Sequence, residues 1–147
     1  MTAFHYSPSL LEQIGDVCTQ VNLSYAVFAK NHQMNANELA IFYTLWTQEQ
    51  ATQKYIADKY HLAKQTINTL CKRFEVDGLI TSIISQNDKR EKIISLTDKG
   101  KAFAKPIIET LLNLEQKIID EFGGERMLLL LKEMQDLQTL MANHLEQ

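Results

Sequence analysis

The chain has 147 residues, of which 45% are hydrophobic and 22% charged, and its net charge is −3. This size and polarity predict a single domain over residues 1–147 and exclude a disordered or collagen-like chain. The longest apolar runs, such as Met127–Leu131, are far below the roughly 20 residues of a membrane span, so we expect no membrane segment. No Lys or Arg precedes Lys30, and there is no CxxC motif, so we expect no signal peptide and a cytoplasmic location.

Charge is unevenly distributed along the chain. Between Thr52 and Lys101 there are ten basic and six acidic residues, whereas the remainder has five basic and twelve acidic residues. A basic middle between acidic ends is compatible with a polyanion partner, but it could simply be a solvated surface.

Two amphipathic helices are predicted before this basic middle. Apolar residues recur at steps of three and four from Leu10 to Phe28, and Ser9 with Glu12 is a plausible capping box at the start of this helix. A second capping pair, Asn35 and Glu38, precedes an apolar face that extends to Trp46.

The basic middle itself predicts a winged helix. Short helices are expected at about Thr52–Tyr60 and Lys64–Asp77, the second closed by Gly78. The segments Leu79–Ile84 and Lys92–Leu96 are rich in Ile, Thr and Ser and predict a β-hairpin with a charged tip. In such an arrangement the second helix enters the major groove and the hairpin lies along the adjacent backbone or minor groove.

Two further helices are expected after the hairpin. The first begins at Thr97-Asp98, carries an apolar stripe at Ala104, Ile107, Leu111, Leu114 and Ile118, contains Pro106 and ends at Gly123-Gly124. The last, about Glu125–His144, has a heptad-like apolar stripe. Helices with such wide stripes at both ends of a small chain indicate a partner surface, although packing within the chain is the alternative.

An ordered set of residues resembles the multiple-antibiotic-resistance regulator (MarR) family of transcription factors. Its most specific part is Glu75-x-x-Gly78-Leu79-Ile80, then Asp88-x-Arg90 and Leu96-Thr97-x-x-Gly100. The sequence departs from the family pattern at Thr69 and Ser82, where Arg is common, and this puts the usual operator preference in doubt.

The resemblance implies a mainly α fold with a small β-hairpin wing. A winged helix-turn-helix lobe at about 35–97 would lie between dimerisation helices at about 1–34 and 98–147. It also implies a homodimer that binds a pseudo-palindromic double-stranded DNA operator, most simply as a repressor. Regulation would come from a small amphipathic or phenolic effector held between the dimer helices and the DNA-binding lobes, or from oxidation of a cysteine.

The candidate DNA contacts follow from side-chain chemistry. Gln and Asn can pair with adenine and Thr can touch a thymine methyl group, which favours A·T-containing half-sites. Lys and Arg neutralise phosphates or enter a narrow minor groove. The predicted readers are Gln65, Thr66, Asn68 and Thr69, and the predicted cations are Lys64, Lys72, Arg73, Lys89, Arg90 and Lys92. Asp88 is expected to hold the wing tip or to orient Arg90.

Other candidate sites are weaker. Cys18 is a small buried residue or a redox sensor, and Tyr25, Phe28, Phe42 and Trp46 are core residues or part of an effector pocket. The four scattered histidines lack metal-ligand spacing, and there is no phosphate loop or nucleophile motif, so we expect no metal, no cofactor and no enzymatic activity. The alternatives are a winged-helix protein-interaction module without sequence-specific DNA reading, and an enzyme or binding protein for small molecules alone.

Overall fold

A computed structural model describes residues 6–147 and divides the chain into two compact units, residues up to Lys105 and Pro106–Gln147. The first five residues of the predicted 1–34 segment therefore lie outside the described residues. The elements in chain order are α1 (Leu10–Asn31), α2 (Ala36–Gln48), β1 (Gln50–Thr52), α3 (Gln53–Tyr60), α4 (Lys64–Val76), β2 (Ile80–Ile84), β3 (Lys92–Leu96), α5 (Asp98–Phe122) and α6 (Gly124–Leu145). The predicted fold class, mainly helical with a β-hairpin, is confirmed.

The starts of the first two helices are fixed by side-chain caps. Ser9 Oγ accepts a hydrogen bond from the Glu12 amide at 3.1 Å. At α2 the capping box is complete, because Asn35 Oδ1 accepts from the Glu38 amide at 2.9 Å and Glu38 Oε1 accepts from the Asn35 amide at 3.2 Å. These bonds satisfy amide donors that the helix itself leaves without partners.

The sheet has one strand that the sequence pattern did not predict. β3 pairs antiparallel with β2 on one side, in the register Ile80 opposite Leu96, and with the short β1 on the other. β1 has three residues, of which only Ala51 is buried, opposite Ile94. A strand of this length carries too little alternation to be recognised from hydrophobicity.

The core of the first unit lies between the helices and the sheet. Its fully buried large side chains include Ile41, Phe42, Leu45, Ile56, Ile67 and Ile94. The Phe42 ring lies 4.8 Å from that of Phe74 and 5.2 Å from that of Phe103, measured between centroids, so α2 contacts both α4 and the start of α5. This packing holds α4 in place from its apolar side.

The second unit comprises α5 from Pro106 onward and α6. Within it Ile108 and Leu111 are buried, whereas Ile107, which the pattern places on the apolar stripe, is half-buried. No residue of α6 is buried, and its leucines from Leu128 to Leu131 are all more than 40% exposed. Among the described residues, no helix is long and apolar enough to cross a membrane.

Candidate DNA-binding surface

Helix α4 has one apolar and one polar face. Ile67, Leu70, Cys71 and Phe74 are buried, as the sequence predicts. Of the predicted readers on the other face, Gln65 and Thr69 are exposed and Thr66 and Asn68 are half-buried. The polar face is therefore available to a partner along the length of the helix.

The wing tip is folded by hydrogen bonds of its own residues. The buried Ser85 hydroxyl accepts bonds from the amides of Asn87 at 3.3 Å and Asp88 at 3.4 Å. Asp88 Oδ1 in turn accepts from the backbone amide of Arg90 at 2.9 Å. Asp88 thus binds the backbone of the tip, and the Arg90 side chain is exposed next to the exposed Lys89.

Helix α4 and the wing enclose a groove of about 590 Å³ together with the start of α3. It is lined by Gln53, Lys54, Lys64, Gln65, Asn68, Asp88, Arg90, Glu91 and Lys92. Four of these side chains are cationic and two are anionic, so the groove carries a net positive charge. Such a groove can accept an anionic backbone along its wall and a base edge at the amides of Gln65 and Asn68.

Three groove residues were not predicted from the sequence, namely Gln53, Lys54 and Glu91. Gln53 and Lys54 open α3 just after its N-cap Thr52, whose hydroxyl accepts from the Tyr55 amide at 3.0 Å. The capping signal locates the start of the helix, but nothing in the local sequence indicates that this start lies beside the wing. That proximity comes from the pairing of β1 with β3.

The other predicted contacts lie outside the lining of this groove. Thr69 and Lys72 on α4 and Lys89 at the wing tip are exposed, and Thr66 on α4 is half-buried. Ser82, one of the departures from the family pattern, is half-buried on β2. The sequence places Arg73 among the phosphate contacts, whereas in the structure its guanidinium pairs with Glu38 and lies 5.0 Å from the centre of the Phe74 ring.

The two cysteines differ in environment. Cys71 is fully buried on α4, and burial, with a smaller contribution from the nearby Glu75 carboxylate, raises the pKa of its thiol to about 12. A thiol with such a pKa is protonated at neutral pH and therefore a poor nucleophile. Cys18 is half-buried on α1.

The aromatic candidates for an effector pocket are also in different environments. Phe42 belongs to the core described above. Phe28 is half-buried and stacks on His32 at 4.3 Å between ring centroids, Trp46 is half-buried, and Tyr25 is 41% exposed. Across residues 6–147 no three His, Cys, Asp or Glu side chains are grouped so that they could hold a metal ion.

Comparison with known proteins identifies the family. The structure superposes on that of a MarR family regulator from Neisseria meningitidis with a TM-score of 0.84 and 30% sequence identity, over 95% of this chain and 98% of the other. The chain belongs to the MarR family. A sequence model described as MarR family matches residues 34–92, which contain the groove. The resemblance seen in the sequence is confirmed, and it is to a family of transcription regulators and not of enzymes.

Two further relatives of this MarR family protein are informative. An organic hydroperoxide resistance transcriptional regulator from Bacillus subtilis is 33% identical over 76 residues, which are 50% of this chain and 52% of the relative. The match thus spans about half the length of that curated protein. NadR, whose crystal structure contains 4-hydroxyphenylacetate, shares the fold with a TM-score of 0.71 and 18% identity, over 93% of this chain and 97% of NadR.

Proposed function

We propose that this chain is a DNA-binding transcription regulator that inserts α4 into the major groove and lays the wing along the adjacent backbone. The observation that carries this proposal is the single groove that joins the amides of Gln65 and Asn68 on α4 to the cations of the wing. A protein-interaction module would not need base-pairing amides and phosphate-binding cations on the same wall.

Sequence is read by the polar face of α4 in this proposal. Gln65 and Asn68 each offer an amide that can pair with the N6 and N7 atoms of adenine, and the methyl groups of Thr66 and Thr69 can contact thymine. These residues favour half-sites that contain A·T pairs. Thr69 stands where Arg is common in the family. The base or phosphate contact that an Arg can make at this position is therefore replaced here by that of a smaller, uncharged side chain.

The cations fix the position of the protein on DNA. Lys64 lies at the first turn of α4, whose N-cap, Ala63, provides no side-chain acceptor, so the first amides of this helix are available to a phosphate together with the Lys64 ammonium. Lys72, Lys89, Arg90 and Lys92 are exposed and lie on α4 and the wing. Contacts of this kind supply affinity and register without sequence information.

The protein acts as a homodimer in this proposal, because α1 and α6 carry apolar residues that nothing in their own unit covers. Ala29 is the only buried residue of α1, and α6 has none. The exposed side chains include Leu10, Ile14, Val17, Val21, Leu128, Leu131, Leu140 and Leu145. A second copy would cover both faces, and its two-fold symmetry would match a pseudo-palindromic operator.

Regulation would act through this dimer. We propose that the protein is a repressor that releases DNA when a small phenolic or amphipathic effector binds beside Tyr25, Phe28 and Trp46. Because its target would be chromosomal DNA, it would work in the cytoplasm. NadR binds 4-hydroxyphenylacetate, which is a compound of this class. Cys18 is the competing sensor, since it is half-buried on α1 and the Bacillus subtilis relative is an organic hydroperoxide resistance regulator.

Fluorescence anisotropy with DNA from the regions flanking the protein's own gene tests the proposal. The Asn68→Ala variant should lose roughly 1–3 kcal/mol of binding free energy at the operator and relax the preference at one base position of each half-site. Binding to unrelated DNA should be unchanged. If Asn68→Ala weakens operator and unrelated DNA equally while Arg90→Ala changes neither, the roles assigned to α4 and the wing are wrong.

A further inference from the structure

The three backbone carbonyls that follow α4 are all bound by residues at the start of α5. Lys99 Nζ donates to Asp77 O at 2.7 Å, Thr97 Oγ1 donates to Gly78 O at 2.6 Å, and the Thr97 amide donates to Leu79 O at 3.0 Å. We call this set of contacts between Asp77–Leu79 and Thr97–Lys99 the α4–α5 clasp. The Thr97 amide bond extends the pairing of Ile80 with Leu96 by one residue, and the two side-chain bonds add partners to the carbonyls of Asp77 and Gly78 at the end of α4.

Two glycines allow the segments of the clasp to approach each other closely. Gly78 has φ +73, which lets the chain turn immediately after α4. On the other side, a Cβ atom on Gly100 would lie 1.9 Å from Leu79 O, so only glycine permits this approach. The Thr97 hydroxyl also accepts from the Gly100 amide at 3.0 Å and therefore caps α5 while it donates to Gly78.

The clasp lies at the base of the wing. β2 starts at Ile80, directly after Leu79, and β3 ends at Leu96, directly before Thr97, and these two strand ends are paired. The clasp therefore joins the C-terminal end of α4, both ends of the hairpin and the N-terminal end of α5. The clasp lies where the two walls of the groove, α4 and the wing, meet.

Lys99 supplies the one charged donor among the three bonds of the clasp. Its ammonium binds the carbonyl of Asp77, the C-cap of α4, where the helix dipole places partial negative charge. Lys99 is absent from the residues that line the groove. The bond can thus be removed without changing any side chain that is proposed to contact DNA.

We propose that Lys99 is a positioning residue for DNA recognition, which holds the end of α4 at the base of the wing and so sets the geometry of the groove. The proposal rests on the function proposed above, because it takes α4 and the wing as the DNA-reading pair. It assigns Lys99 no contact with base or phosphate.

The Lys99→Met variant, which keeps most of the aliphatic stem and removes the ammonium, tests this role. Lys101→Met is the matched control, because it removes the same charge two residues further along α5 from another exposed side chain. We expect Lys99→Met to lower operator affinity by about three- to thirtyfold relative to the control. Affinity for unrelated DNA, the dependence of binding on salt and the melting temperature should equal those of the control, and Lys99→Arg should restore operator affinity.

Three results would overturn the proposal. Equal losses in Lys99→Met and Lys101→Met would indicate an effect of net charge alone. If the slope of log binding constant against log salt concentration is shallower than that of the control by about one, Lys99 contacts a phosphate. A lower melting temperature with equal losses on operator and unrelated DNA would indicate a role in folding only.

A measurement without DNA separates this proposal from the proposed function. Spin labels on cysteines introduced at Thr69 and Lys89, in a Cys18→Ser background and diluted with unlabelled protein, report the distance between α4 and the wing tip. The distance distribution should broaden or shift in Lys99→Met and not in Lys101→Met. If it does so while protein that keeps Thr69 and Lys89 shows no operator preference, the clasp holds the groove but the function is wrong, whereas an unchanged distribution overturns the positioning role itself.

Discussion

The Glu38 carboxylate forms an ion pair with the Arg73 guanidinium and joins the start of α2 to the last turn of α4. The same carboxylate accepts from the Asn35 amide and completes the capping box of α2. Glu38 side-chain exposure is 17% and that of Arg73 is 51%, so the pair is only partly in solvent. To contact a phosphate, Arg73 would have to give up this partner.

A comparison of Arg73→Ala with Arg90→Ala tests this division of the cations. Loss of Arg90 should reduce the slope of log binding constant against log salt concentration by about one, as expected for one phosphate contact. Arg73→Ala should leave that slope unchanged and cost less than about 1 kcal/mol of folding free energy, since partly exposed ion pairs contribute little. A reduced slope in Arg73→Ala would place Arg73 on DNA after all.

If the protein is a homodimer as proposed, charge on the apolar stripe of α6 should disrupt its assembly. Leu137→Glu should shift sedimentation at micromolar concentration towards the mass of one chain, 16.9 kDa, and weaken operator binding in parallel. The cause is that a carboxylate in an apolar contact between copies loses its hydration without gaining a partner.

Thr139→Glu is the control for this experiment. Position 139 is exposed and lies two residues further along α6, about 200° around the helix, so the same charge is added away from the stripe. It should leave the dimer intact. A monomeric wild-type protein that still binds its operator tightly would contradict the model of two half-sites.

The titration of Cys71 gives a prediction for stability at high pH. Its pKa is about 12 in the folded protein, because of burial first and Glu75 second, against an ordinary value of 9.0. Between these two values the unfolded chain loses the thiol proton and the folded chain keeps it, so the free energy of unfolding decreases as pH rises. The contribution is fully present below about pH 9 and is lost progressively above it.

This effect can be isolated by comparing two proteins that both carry Cys18→Ser, one with Cys71 and one with Cys71→Ala. The difference between their unfolding free energies, from urea titrations, should change by about 1 kcal/mol between pH 9 and pH 10 in the direction that destabilises the Cys71 protein. The cavity left by Ala lowers stability by an amount that does not depend on pH. Parallel curves would show that the Cys71 thiol titrates normally.

The sequence predicts those features of the structure that depend on residues close together in the chain. The capping box of Asn35 and Glu38, the buried face of α4 and the hairpin are local patterns, and all were predicted to within a few residues. Six residues that were predicted to contact DNA or to orient the wing line the groove, namely Lys64, Gln65, Asn68, Asp88, Arg90 and Lys92, and their contact with DNA stays a prediction.

The features that the sequence pattern missed depend on contacts between distant segments. β1 is too short to show a pattern, and Lys54 reaches the groove only because β1 pairs with β3. Arg73 looks like any exposed cation on a helix until its partner, 35 residues earlier, is located. The role proposed for Lys99 likewise depends on its bond to Asp77, which is 22 residues away in sequence.

The proposed function also predicts that an effector controls DNA binding. If a phenolic compound binds more tightly to a dimer whose two α4 helices are wrongly spaced for DNA, it must weaken operator binding by the same factor by which the operator weakens its own binding. We expect a coupling of about 1–3 kcal/mol, measured by titrating a salicylate-like compound with and without operator DNA. Wild type and Cys18→Ser should respond equally, because the pocket proposed at Tyr25, Phe28 and Trp46 does not involve the thiol.

Treatment with peroxide tests the competing sensor. Release of DNA that is abolished by Cys18→Ser would assign control to oxidation of Cys18. Cys71 would not substitute for Cys18, since its buried thiol stays protonated at neutral pH. Indifference of operator binding to both compounds would contradict the regulatory part of the proposed function and leave a constitutive DNA-binding protein.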